Sequence, residues 1–227
     1  MATTTLFPDA TNTGVPAGVT LTPSGSLVIT QAGAVISGLD IQGIVSIEAP
    51  NVTLENCRIT SGNWGVVIIA DGVTGTVVQN CEINGLGTTG GDATGISGQG
   101  TFLNNNIYNV ENGFSIAGSN VLIQGNYVHD MHASGSPHYD AIQIDGNASN
   151  ITITGNSLIN NNGQTSAIMI DNGFGPISNV QVSNNLLVGG AYTVYSDGRA
   201  SSSPINLRRK DQRKDRPRLG DLVSIDC

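Results

Sequence analysis

The sequence predicts an all-β fold, a right-handed parallel β-helix of about seven coils carrying an Asn ladder. Three observations predict it. Seven octets repeat one apolar pattern, one column within them holds only Gly and Asn, and the octets recur every 18 to 30 residues, about 24 on average. A step of that size suits one three-strand turn of such a solenoid. The composition agrees, with 30 Gly, 4% aromatic and only 11% charged residues, which leaves little material for long helices.

The octets are AVISGLDI (34–41), VTLENCRI (52–59), TVVQNCEI (76–83), TFLNNNIY (101–108), VLIQGNYV (121–128), ITITGNSL (151–158) and VQVSNNLL (180–187). Their third and eighth positions are apolar or aromatic, from Ile36 and Ile41 through Leu103 and Tyr108 to Val182 and Leu187. The fifth position reads Gly38, Asn56, Asn80, Asn105, Gly125, Gly155 and Asn184. Gly and Asn enter the left-handed region at least cost, so this column predicts a one-residue bend between two strands. The sixth position reads Leu39, Cys57, Cys81, Asn106, Asn126, Asn156 and Asn185, and its four Asn are placed to stack as a ladder. Strands stacked about 4.8 Å apart would make seven coils a rod roughly 30 Å long.

A second strand recurs as GVVII (65–69), GFSI (113–116), DAIQI (140–144), SAIMI (166–170) and YTVY (192–195). Aligning Val66, Phe114, Ile142, Ile168 and Val194 inward turns Ser115, Gln143, Met169 and Tyr195 outward by the period of two. Asp145, Asp171 and Asp197 follow one outward step later. With Ala141, Ala167 and Gly113 in the strand, this face offers a low floor for a polymer.

The ends differ from the body. Residues 1–24, rich in Thr, Pro and Gly, are expected to cap the first coil, residues 25–200 to form the solenoid, and residues 201–227 to be a basic, irregular tail. Residues 1–200 hold thirteen acidic residues against two basic ones, Arg58 and Arg199, and no Lys. Such a body repels nucleic acid. No apolar run approaches the about 20 residues that span a membrane. The N-terminus lacks a basic and an apolar region, so no signal peptide is expected, and three Cys without a spacing motif suggest no disulfide framework.

On the ladder and the Gly/Asn column the chain resembles the pectate-lyase-like superfamily of parallel β-helix proteins over about residues 25–200. FPDATNTGVPAG (7–18), HYDAIQIDG (138–146) and QTSAIMIDNGFGPISNV (164–180) resemble uncharacterised β-helix proteins of bacteria and phages, tailspikes among them. The resemblance implies a polysaccharide partner, an extracellular or virion-associated setting, and, for a spike-like assembly, a homotrimer. It leaves open a hydrolase, a lyase or a non-catalytic adhesion module such as a tail-fibre component.

Two groups of residues could carry chemistry. All three His of the chain fall in HDMHASGSPHYD (129–140), at the longest step between octets, which marks a protruding loop. There His138 or Tyr139 could exchange protons with a sugar ring while Asp140 orients it, a grouping loosely similar to that of alginate epimerases and lyases. Alternatively His129, His132 and Asp140 could ligate a metal, or the His could be plain loop residues. The second group is the column Asp145, Asp171 and Asp197, joined by Asn172. Carboxylates about 5 Å apart either bind a cation such as Ca²⁺ or hold a proton, and such a pair also suits a glycosidase. Each Asp also lies in an ordinary turn sequence. Gln143, Tyr192, Tyr195 and His132 complete the expected sugar-binding set. A uronate lyase needs a cation against the substrate carboxylate, and the face offers none unless Ca²⁺ supplies it.

Overall fold

In a computed structural model, residues 7–87 and 93–197 are described in full, together with the backbone of 221–226. Coil one is β1 (Thr22–Ser24), β2 (Leu27–Ile29) and β3 (Val35–Ser37); coil two is β4 (Leu39–Gln42), β5 (Val45–Ile47) and β6 (Thr53–Glu55). Coil three is β7 (Arg58–Thr60), β8 (Gly65–Ile69) and β9 (Val77–Gln79); coil four is β10 (Glu82–Asn84), β11 (Thr94–Gly98) and β12 (Thr101–Leu103). Coil five is β13 (Asn106–Tyr108), β14 (Asn112–Ile116) and β15 (Val121–Gln124); coil six is β16 (Tyr127–His129), β17 (Asp140–Ile144) and β18 (Ala148–Thr154). Coil seven is β19 (Ser157–Asn160), β20 (Ser166–Asp171) and the first half of β21 (Ile177–Gly189). The second half of β21 and β22 (Tyr192–Asp197) begin an eighth. Every coil pairs in parallel with the next, giving three stacks: sheet I (β1, β4, β7, β10, β13, β16, β19 and late β21), sheet II (β2 to β22) and sheet III (β3 to early β21).

What registers the stacks is the bend from sheet III to sheet I. Gly38, Asn56, Asn80, Asn104, Gly125, Gly155 and Asn184 all have φ between 52° and 70°. The next residue is fully buried at six of these seven bends, Leu39 alone being partly exposed. Asn105, Asn126 and Asn156 each place Oδ1 or Nδ2 between coils, Oδ1 of Asn126 accepting the Asn105 N–H at 2.9 Å and Nδ2 of Asn126 donating to Phe102 O at 2.9 Å. Asn126 N–H in turn reaches Asn156 Oδ1 at 2.9 Å, and Asn156 N–H reaches Asn185 Oδ1 at 2.9 Å. Cys57 and Cys81 occupy the same column as free, buried thiols.

The register corrects the octet of coil four. Phe102, not Leu103, aligns with Val78 and Ile123, so the bend falls on Asn104, the ladder on Asn105 and the inward residue on Ile107. Two adjacent apolar residues and three consecutive Asn make that segment fit either frame in one dimension. A slip of one residue turns a strand inside out. Asn106 and Tyr108 therefore face outward. The same correction applies in sheet II, where Val67 rather than Val66 aligns with Val45 and Ile96. Inside the coil, Phe102 and Phe114 stack with ring centroids 5.6 Å apart, flanked by Ile columns that stay sealed from coil two to coil seven.

The ends also differ from expectation. Residues 9–14 do not lie over the first coil. They run along the outside of sheet I, where Gly14 N–H donates to Asn104 O at 2.9 Å and a Cβ on Gly14 would sit 3.1 Å from Asn106 Cβ. Within the stretch expected as an irregular tail, β23 (Asp221–Asp226) is a strand paired antiparallel with β21. Residues 1–6, 88–92, 198–220 and 227 lie outside the described residues.

Asn126→Ala would orphan the buried Asn105 N–H and the Phe102 carbonyl together, so unfolding free energy should fall by about 3 kcal/mol or more. Asn106→Ala, on the outer face, should cost under about 1 kcal/mol. Urea denaturation of both variants checks this, and equal losses would contradict the corrected frame.

Candidate functional site

The outer face of sheet II is built by alternation. Inward Ile142, Ile168 and Val194 align across β17, β20 and β22, and outward Gln143, Met169 and Tyr195 align with them. Asp171 pairs in register with Asp197, and Asp145 precedes them by one coil. Each carboxylate is held by its own strand or turn. Gln143 Nε2 donates to Asp145 at 2.6 Å, Tyr195 OH donates to Asp197 at 3.1 Å, and Asp171 accepts the Gly173 N–H at 2.9 Å as the cap of a short 3₁₀ turn, Asn172–Phe174. Tyr192 is exposed and lies tilted against Tyr195, centroids 5.8 Å apart. Phe174 is 76% exposed beside Asp171, an aromatic residue that sequence reasoning missed because it sits in a turn rather than on a strand period. Asn172, expected to face the polymer, is buried.

The loop before β17 turns out differently. His138 is exposed, while its backbone N–H donates to Glu111 Oε1 at 2.7 Å. Tyr139 is buried, and its hydroxyl meets both the N–H and the carbonyl of Ala133, which staples the loop closed. Its own carbonyl accepts from Asn160 Nδ2 and from Thr165 Oγ1. Asp140 is 1% exposed; it receives both the N–H of Ser166 at 2.9 Å and its hydroxyl at 2.6 Å, while its own N–H reaches Asn112 Oδ1 at 3.3 Å. Asn112, Asp140 and Ser166 thus form a second buried ladder, at the corner where sheet I gives way to sheet II. Tyr139 and Asp140 belong to the scaffold, and the expected His138–Tyr139–Asp140 proton relay is not gathered at one open point.

The other His are separated as well. His132 is exposed against Gly87. His129 is a strand residue on the outer face of sheet I, stacked 4.1 Å from Tyr127 and 5.4 Å from Tyr108, with ring nitrogens 2.8 Å from Asp130 and Asn106. On the same face Tyr108 donates to Glu82 at 2.7 Å, and Arg58 bridges Glu82 at 3.4 Å and Asp40 at 3.8 Å. Burial and the Glu82 carboxylate push the Tyr108 hydroxyl up to about 12. This cluster escaped sequence reasoning because the coil-four frame pointed Tyr108 inward. Among the described residues no group of three or more His, Cys, Asp or Glu is placed to hold a metal. Neither His129–His132–Asp140 nor Asp145–Asp171–Asp197, each weighed as a metal set beside other readings, forms such a group.

A family model described as a right handed beta helix region matches residues 17–141 and, overlapping, 43–207. No curated protein and no solved structure matches the chain.

Burial raises the Asp140 carboxyl from 3.8 to about 6, against the lowering effect of Ser166. A raised folded value favours the protonated form in the fold, so the contribution of Asp140 is complete below about pH 4 and lost as pH rises through about 6. Asp140→Asn, the residue already used at Asn112 one coil earlier, should therefore gain stability over the parent between pH 4 and 7.5, reaching on the order of 2 kcal/mol. Thermal unfolding of the two proteins across that range measures the difference, which should be smallest at the acid end.

Proposed function

The chain belongs to the right-handed β-helix family, and from that premise we propose that it binds a polysaccharide along the outer face of β17, β20 and β22. One observation carries the reading: three carboxylates on successive strands, Asp145, Asp171 and Asp197, each oriented by a fixed hydrogen-bond donor. Oriented carboxylates accept from sugar hydroxyls in charge-assisted hydrogen bonds. The exposed Tyr192 and Phe174 add ring faces on which sugars stack, and half-buried Met169 leaves the floor low. An acidic face repels uronates, so the polymer is neutral or carries amino sugars.

Asp171 and Asp197 form the pair that could cleave it. Paired strands hold them about 4.8 Å apart at the backbone, close to the carboxyl spacing of retaining glycosidases. Elimination from a uronate is less well supported. Arg58 is the one Lys or Arg side chain among the described residues, and it is spent on Asp40 and Glu82 on another sheet.

A panel of neutral, amino-sugar and acidic polysaccharides tests both parts by affinity electrophoresis and reducing-end release. Binding to a neutral or amino-sugar polymer is expected, weakened at least about tenfold by Asp145→Ala with Tyr192→Ala, a loss of roughly 1.4 kcal/mol. Reducing ends that disappear in Asp171→Asn and Asp197→Asn, each still folded and binding, would establish hydrolysis. Binding with no reducing ends would make the protein a non-catalytic module, and no retention on any polymer would end the proposal.

A further inference from the structure

The first coil presents an end of the solenoid with loosened packing and no charged residue. Leu27, Ile36 and Leu39 occupy inward columns whose next members, Val45, Leu54 and Cys57, are completely buried, yet all three remain partly exposed. Val28 and Val35 lie 63% and 64% exposed on the same coil. Of the described residues before β1, Gly14 lies against Asn104 and Asn106 of coils four and five, and residues 16–20 are exposed.

The backbone at this end is selectively open. Leu27 N–H donates to Ile44 O and Ile29 O accepts from Glu48 N–H, so Leu27 and Ile29 turn towards coil two. By the alternation of a parallel ladder, the N–H and C=O of Val28 point away from the rod. In β1 the corresponding outward residue is Pro23, between Thr22, which bonds to Gly38 O, and Ser24. Proline has no donor there, which blunts that edge, while β2 keeps its own.

Charge indicates the occupant. The chain carries a net charge of −8, yet no charged residue occurs between Asp9 and Asp40. Two copies approaching through any acidic face repel each other; at this coil they do not. We propose that the first coil is a self-association surface and that a second copy of this chain covers it head to head. A two-fold axis perpendicular to the rod runs β2 antiparallel to the β2 of the partner copy, satisfies the outward N–H and C=O of Val28 on both sides, and seals Leu27 and Ile36 under the joint.

Sedimentation velocity of the full chain over a roughly hundredfold concentration range should show a reversible monomer–dimer equilibrium. Val28→Pro removes the outward donor, and Val28→Glu with Val35→Glu places like charges across the joint. Each should weaken the dimer at least about tenfold. Since Val28 and Val35 side chains are exposed, the Glu variant should unfold at nearly the parental temperature, and added salt should restore part of its dimer. A parent monomeric at every concentration, a trimer, or a dimer that survives both variants would overturn the proposal. None of these readouts depends on whether the acidic face binds sugar.

Discussion

The structure depends on a two-residue device: a left-handed Gly or Asn followed by a buried side chain that reaches its neighbours above and below. The first residue forces the chain through a sharp corner without a hairpin. The second fixes how far each coil sits along the rod, because an amide has one donor end and one acceptor end and both are used, as in Asn126 between Phe102 O and Asn105 N–H. Parallel strands, nearly all of three to seven residues, supply few bonds each and could slide. A buried amide with no water to fall back on cannot slide without losing several bonds together.

From that register the outer faces follow with no further choice. Once Phe102 is inward, Tyr108 is outward beside His129, and Glu82 comes within 2.7 Å of the Tyr108 hydroxyl. Once Ile168 is inward, Met169 and Asp171 are outward, and Asp171 meets Asp197 in the next layer. The same parity that builds the core therefore writes two different polar rows on the outside, one of mixed charge on sheet I and one acidic on sheet II. A second ladder at the opposite corner, Asn112 to Asp140 to Ser166, fastens the longest inserted loop to the rod. Thr165, next to it, holds φ at 46°, a strained value for a β-branched residue, and its hydroxyl bonds to the Tyr139 carbonyl at the same corner.

Legibility in the sequence tracked how many coils repeat a feature. The Gly/Asn bend recurs at all seven corners and Asn fills the ladder at the last four, and both could be read directly, as could the outward parity of Gln143, Met169 and Tyr195. Coil four failed because three consecutive Asn satisfy two frames equally, and only the bonds to Cys81 and Asn126 separate them. The loop failed for a different reason. His, Tyr and Asp in a row look like exposed chemistry, but whether a loop folds inward depends on partners far away in the chain: Ser166 for Asp140, Asn160 and Thr165 for the Tyr139 carbonyl, Glu111 for the His138 backbone. None of those pairings has a period.

Charge placement gives the rod a polarity that neither packing nor register requires. The ladder column is buried at Cys81 as at Asn156, and the core is apolar along the rod. Yet the acidic row sits at coils six to eight, the mixed ion ladder of Asp40, Arg58 and Glu82 on coils two to four, and the uncharged stretch in coil one. On that ladder one guanidinium bridges two carboxylates. In the acidic row Gln143 and Tyr195 donate to Asp145 and Asp197, neutral groups that orient the carboxylates. The field of such a row falls off within about 8 Å at physiological salt. Coil one is five strand spacings, or about 24 Å, from coil six. An uncharged end at that distance feels little of the repulsion from the acidic row, so one rod can hold a polymer at one end and meet its own kind at the other.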